Sequence, residues 1–165
     1  MGFREFSSFN QALVAKQGWR ILQSPDSLVA RVLQARYFKN KDFLNAKLGW
    51  NPSFIWRSII WGRHVIKNGL RWRIIDGHNV QVYKENWLLR PLTFRPVSKP
   101  TLPTNTLVFE LINDENQWNE RLIYNHFDKM DADRIVSIPL PRRPIKDQLL
   151  WHYEKRGQYT VKSGY

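Results

Sequence analysis

The chain has 165 residues, 42% apolar and 24% charged, a balance that suits one ordinary domain or two small ones and argues against wholesale disorder. It contains no cysteine, which excludes a disulfide framework, cysteine-ligated zinc, iron–sulfur clusters and thiol catalysis. Lys and Arg number 26 against 14 Asp and Glu, and residues 1–100 carry the whole excess of +12, while residues 101–165 are neutral.

The first helix is predicted over residues 9–23, where Phe9, Ala12, Ala15, Trp19 and Leu22 recur on one face of a 3.6-residue period. Ser24 and Pro25 form a cap-then-proline pair that ends it and opens a second helix reaching about Phe38. Residues 39–50 read as a loop with a short helical turn. Asn51-Pro52 repeats the cap signature, and a third helix runs to about Asn68 with Gly69 as its stop. The period then changes to two. Leu70, Trp72 and Ile74 alternate with Arg71 and Arg73, Asp76 to Asn79 supply turn residues, and Val80 to Lys84 alternate again, which predicts a β-hairpin.

Pro91, Pro96, Pro100 and Pro103 argue against regular structure over residues 91–105, read as a linker at the charge boundary. Short helices are expected at 107–112, 119–127 and 131–137, with Pro139, Pro141 and Pro144 breaking the chain after them. Gln148–Tyr153, a turn at Glu154–Gly157 and Gln158–Val161 read as a second hairpin. The longest apolar run, Ala12–Ala15, is far too short to span a bilayer, and the start carries no secretory signal.

The sequence offers no positive sign of catalysis. Its four histidines have no metal-ligand spacing, and the phosphate-loop, dinucleotide-binding and nucleophile-elbow patterns are absent. Asp128, Asp131 and Asp133 are read as helix-start acids favoured by the dipole rather than as a metal cluster. A basic body joined to a neutral tail points to a polyanion such as nucleic acid, although solubility or an acidic neighbouring domain would explain the same excess. On a helical wheel Arg57, Arg63, His64 and Lys67 share an arc of roughly 120° that also holds Trp56 and Ile60. Phe54, Ile55, Ile59, Trp61, Val65 and Ile66 fall on the other side and are expected to face the core. Arg71 and Arg73 share one side of their strand, about 7 Å apart, a spacing of the order of that between successive phosphates. Arg57, Arg63, Lys67, Arg71 and Arg73 are therefore the candidate phosphate contacts, with Trp56 as a candidate stacking ring; a solvated helix face and strand face is the structural alternative. The other tryptophans are expected to be core or boundary anchors.

The run from Gly2-Phe3-Arg4 through Phe9-Asn10-Gln11-Ala12 to Gly18-Trp19-Arg20 resembles the region after the polymerase core in plant LINE-type (non-LTR) reverse transcriptases. The resemblance continues at Ala35-Arg36-Tyr37-Phe38, at Pro52 to Ile59 and at Gly69 to Ile74. It ends with Trp151-His152-Tyr153 and Gly157 to Tyr165, which are similar to the opening of that family's reverse-transcriptase zinc-binding region. In the family the polymerase aspartates lie upstream of this stretch, and the zinc ligands, with a ribonuclease H domain in many members, lie downstream. None of them is in these residues. The resemblance thus implies a chain truncated at both ends, with a nuclear or mitochondrial location and a terminal half-domain that is frayed for want of its partners.

The expected architecture is α+β, mostly helical with two β-hairpins. A basic unit spans 1–90, the proline-rich linker 91–105, a neutral helical connector 106–145, and the incomplete zinc-binding-type region 146–165. The expected role is a non-catalytic connector that touches RNA or DNA without reading its sequence. The alternative is a structural spacer or translated relic with no activity of its own. No cofactor, metal, membrane or small-molecule substrate is expected.

Overall fold

The computed structural model describes residues 5–90, 92–141 and 146–165. Pro91 and Pro144, both cited as chain breakers above, lie outside them. The elements are α1 (Phe6–Gln23), α2 (Leu28–Tyr37), α3 (Phe54–Gly69), β1 (Leu70–Arg73), α4 (Glu120–His126), α5 (Lys129–Val136), β2 (Gln148–Trp151) and α6 (Val161–Gly164), with 3-10 turns at Phe43–Asn45 and Val108–Leu111. This is the mostly helical α+β class read from the sequence, but with one two-stranded sheet in which β1 pairs with β2. The chain forms two compact units. Unit one is Met1–Gly69 with Trp151–Tyr165, and unit two is Leu70–Leu150.

Unit one is built on α1 and α3. Small residues let the helices meet backbone to backbone. Ala12 and Ala15 on α1 are fully buried, and a Cβ added at Gly62 of α3 would stand 2.6 Å from the backbone nitrogen of Ala15. Any side chain there would have to push the helices apart. Ser27, not Ser24, caps α2 by accepting from the Ala30 amide. α2 buries little besides Ala30, leaving Leu28, Val29 and Val32 exposed.

The C-terminal segment is not frayed. Tyr159 is fully buried, its hydroxyl donates to the Ala12 carbonyl, and Lys16 Nζ donates to the Tyr159 carbonyl. The Trp19 indole N–H reaches Gln158, and Phe9 meets Tyr165 edge-on at 6.2 Å. Buried aromatic area thus closes this segment onto α1. The turn at Glu154–Gly157 forms as expected, with Gly157 at φ +68°. The residues after it form α6, capped by Thr160, instead of a second hairpin arm.

Unit two overturns the first hairpin. Val80 to Val82 pair with Thr106 to Val108: the Val82 amide donates to Thr106 O at 3.0 Å and the Val108 amide to Val80 O at 2.9 Å. Trp72 donates instead to the Asn86 carbonyl. The turn that should have closed the hairpin is organised by a distant carboxylate. Asp147 accepts from the amides of Ile75, Asp76, Gly77 and Asn79. Gly77 has φ +70°, and a Cβ there would stand 2.5 Å from the Phe109 nitrogen, so glycine is required on both counts.

The proline-rich stretch lies inside unit two rather than dividing the chain. Phe94 is 2% exposed, and its carbonyl accepts from Trp87 and Leu88. The Val97 amide and both the amide and hydroxyl of Ser98 donate to Asp131 Oδ2, while Arg90 pairs with Oδ1 at 2.7 Å. Prolines forbid a regular ladder, but they leave the segment free to pack against a buried carboxylate.

Candidate nucleic-acid interface

Five of the six candidate residues divide between solvent and structural duty, and the sixth is buried. α3 begins after Ser53, whose hydroxyl accepts from the Trp56 amide. Its inward residues are Trp56, Ile59, Gly62, Ile66 and Gly69. The helix is therefore turned relative to the expected wheel, and Phe54 and Ile55 stand 83% and 66% exposed. Trp56, expected outside, is fully buried. Tyr37 stacks on it at 4.7 Å and Phe38 at 5.6 Å. Its indole N–H donates to Leu48 O. The proposed stacking ring is thus a core anchor with no face open to a base.

Arg63 is also anchored. Its Nη1 donates to the carbonyls of Phe43 and Ala46, at 2.9 and 2.7 Å, holding the 3-10 turn against α3. Burial lowers its pKa, with Asp42 acting the other way. A guanidinium that already serves two carbonyls adds positive field but has fewer donors left for phosphate. Arg57 and Lys67 on α3 are exposed. Burial of the stem and then the Arg63 charge bring Lys67 below the usual ammonium value.

In unit two Arg73 is exposed and Arg71 half-buried. Burial, then the charge of Arg73, lowers the pKa of Arg71. Two cations that raise each other's field in this way favour an anion beside them. Among the described residues no carboxylate forms an ion pair with Arg57, Lys67 or Arg73.

The units divide the charge differently from the linear halves, +10 against +2 rather than +12 against 0. Unit one holds 14 Lys and Arg against 4 Asp and Glu; unit two holds 12 against 10. Arg90–Asp131 and Lys129–Asp133 are ion pairs of unit two. Sequence reasoning missed this division because the C-terminal Lys155, Arg156 and Lys162 return to unit one. Among the described residues, no group of three or more His, Asp or Glu is placed to hold a metal ion. No described helix is long and apolar enough to cross a membrane.

Comparison with known proteins finds relatives in Arabidopsis thaliana. The chain is 39% identical over 98 residues to one named "Uncharacterized mitochondrial protein", a match covering 59% of this chain and 64% of that protein. It is 29% identical over 180 aligned positions to one named "Putative ribonuclease H protein", a match covering all of this chain but 28% of that much longer protein. The chain thus spans less than two thirds of either relative. No family model and no solved structure matches it. Together with the resemblance read from the residues, the two relatives support a general kinship with plant retroelement-related proteins.

Proposed function

We propose that this chain is a non-catalytic connector of a LINE-type reverse transcriptase and contacts RNA or DNA through its phosphates, without reading sequence. The observation that carries this reading is the charge of unit one, whose cations outnumber its carboxylates by ten. Phosphate neutralisation releases counterions, so such a surface binds any strand and does so salt-dependently. Arg57 and Lys67 on α3 are the proposed contacts of unit one, and Arg71 and Arg73 on β1 are proposed as a separate contact of unit two. Arg63 supports the field from its anchored position, and Trp56 takes no part because its ring is enclosed by Tyr37 and Phe38. The relative named a mitochondrial protein favours the mitochondrion over the nucleus as the proposed compartment.

The test is a titration of intrinsic tryptophan fluorescence with single-stranded RNA at several salt concentrations. Eight tryptophans give the signal. The expected result is blue-shifted starting emission and binding that weakens steeply as salt rises. Blue-shifted emission with no response at low salt overturns the reading and leaves a folded spacer.

A further inference from the structure

Unit two contains a pocket of about 370 Å³, within the range of roughly 300–1,000 Å³ that small ligands occupy. Its apolar walls include Trp72, Ile74, Trp87, Leu89, Ile138 and Pro139, and its charged lining is Arg71 and Arg73. Both indole N–H groups are spent elsewhere, Trp72 on Glu85 and Trp87 on the Val82 carbonyl. Trp87 is 1% exposed, so the half-buried Trp72 supplies the pocket's aromatic carbon surface. Leu89 is 44% exposed, and Arg73 is exposed as well.

From this juxtaposition of an apolar slot and two guanidiniums we infer that the pocket receives one unstacked base of a single strand while Arg71 and Arg73 hold the adjoining phosphate. The inference rests on the nucleic-acid reading above and deepens it, because phosphate contact alone needs no pocket. A base in a duplex cannot enter; a base in a single strand can be turned out and stacked on aromatic carbon. Guanidinium suits the phosphate because it is planar, permanently charged and able to bind two oxygens at once. Apart from Arg71 and Arg73 its lining side chains are apolar or have their indole N–H spent elsewhere, so the slot accepts any base.

The experiment compares a single-stranded oligonucleotide with an abasic strand of equal length, which keeps the phosphates and lacks the bases. Both are titrated against the full chain at the same series of salt concentrations. Stacking of one base is worth about 1–3 kcal/mol, so the abasic strand is expected to bind at least about 5-fold more weakly with a similar salt slope. Leu89→Trp, which fills the slot, is expected to erase the difference. Trp50→Ala, which removes a fully exposed ring of unit one, is expected to preserve it. Equal binding of the two strands with steep salt dependence overturns the pocket and leaves the phosphate reading standing. Loss of the difference in Trp50→Ala but not in Leu89→Trp also overturns it. Failure of both strands to bind overturns both readings.

Discussion

The hydroxyl of Tyr159 donates to the carbonyl of Ala12 across 147 residues of sequence, at 3.0 Å. That bond joins the end of the chain to its first helix, although all of unit two lies between them in sequence. Tyr159→Phe leaves a buried carbonyl without this donor and is expected to destabilise unit one by about 1–2 kcal/mol. Chemical denaturation followed by tryptophan emission would measure it. A midpoint equal to that of the parent would show that the tail does not support the helices.

The same residue gives a pH signature. Burial pushes the Tyr159 phenol up to about 12, against about 10 in an unfolded chain. A raised folded value means that the neutral form is the stabilising one. Its contribution is complete below about pH 10 and is lost as pH rises through about 12. Asp131 works in the opposite direction. Burial raises its pKa, but hydrogen bonds from Ser98, Val97 and Arg90 outweigh this and hold it below the ordinary value. Its stabilisation is complete above roughly pH 4, the unfolded value, and disappears as pH falls through the lower folded one. Stability measured against pH should decline at both ends, with Tyr159→Phe removing the alkaline limb and Asp131→Asn weakening the acid one. An Asp131→Asn profile parallel to the parent's would refute the assignment.

Asp131 also ties the proline-rich stretch to α5. Asp131→Asn removes the buried charge that Arg90 and Ser98 converge on, and breaking one side of such a cluster costs about 3 kcal/mol. Proteolysis between residues 92 and 104 is expected to rise in step, and unchanged cleavage would show that the stretch is held by something else.

What the sequence made legible was local. α1, α2, α3 and α4 appear near their expected bounds because periodicity acts within a few residues, although Ser27 and Ser53 rather than Ser24 and Asn51 serve the starts of α2 and α3. The hairpins failed because partner choice was not local. Asp147 gathers the amides of the turn at 75–79, and β1 finds its partner in β2. No alternation within residues 70–84 could reveal either. The facing of α3 failed for another reason. Apolar residues occur on every side of its first two turns, from Phe54 through Trp61, so the wheel has no single dry face. The usable signal was Gly62, a small residue matching Ala12 and Ala15 of α1. A wheel centred on it places Ile59 and Ile66 inward, as they are, while Trp56 falls about 120° away and is buried by Tyr37 and Phe38 instead.

Trp56 separates a core anchor from a stacking ring. With Tyr37 and Phe38 stacked on it, Trp56→Ala is expected to cost about 3–5 kcal/mol. Trp56→Phe, which keeps most of the packing, should restore much of that stability and leave RNA affinity unchanged. A folded Trp56→Phe protein with sharply reduced affinity would return the ring to the interface.

The exposed cations of α3 make the last prediction. Arg57 and Lys67 form no ion pair with a carboxylate among the described residues, so replacing both by alanine leaves no buried charge orphaned. Stability should change by less than about 0.5 kcal/mol. Each phosphate contact on a single strand contributes about 0.7 to the slope of log affinity against log salt, so the double variant should lose about 1.4 of slope. Arg57→Ala with Arg71→Ala should lose a comparable amount if β1 contributes equally. Binding with an unaltered slope in both double variants would move the interface off α3 and β1, toward the other cations of unit one. Arg63→Ala is the informative contrast. Its guanidinium holds the carbonyls of Phe43 and Ala46, so its loss should appear in the unfolding midpoint before it appears in the salt slope.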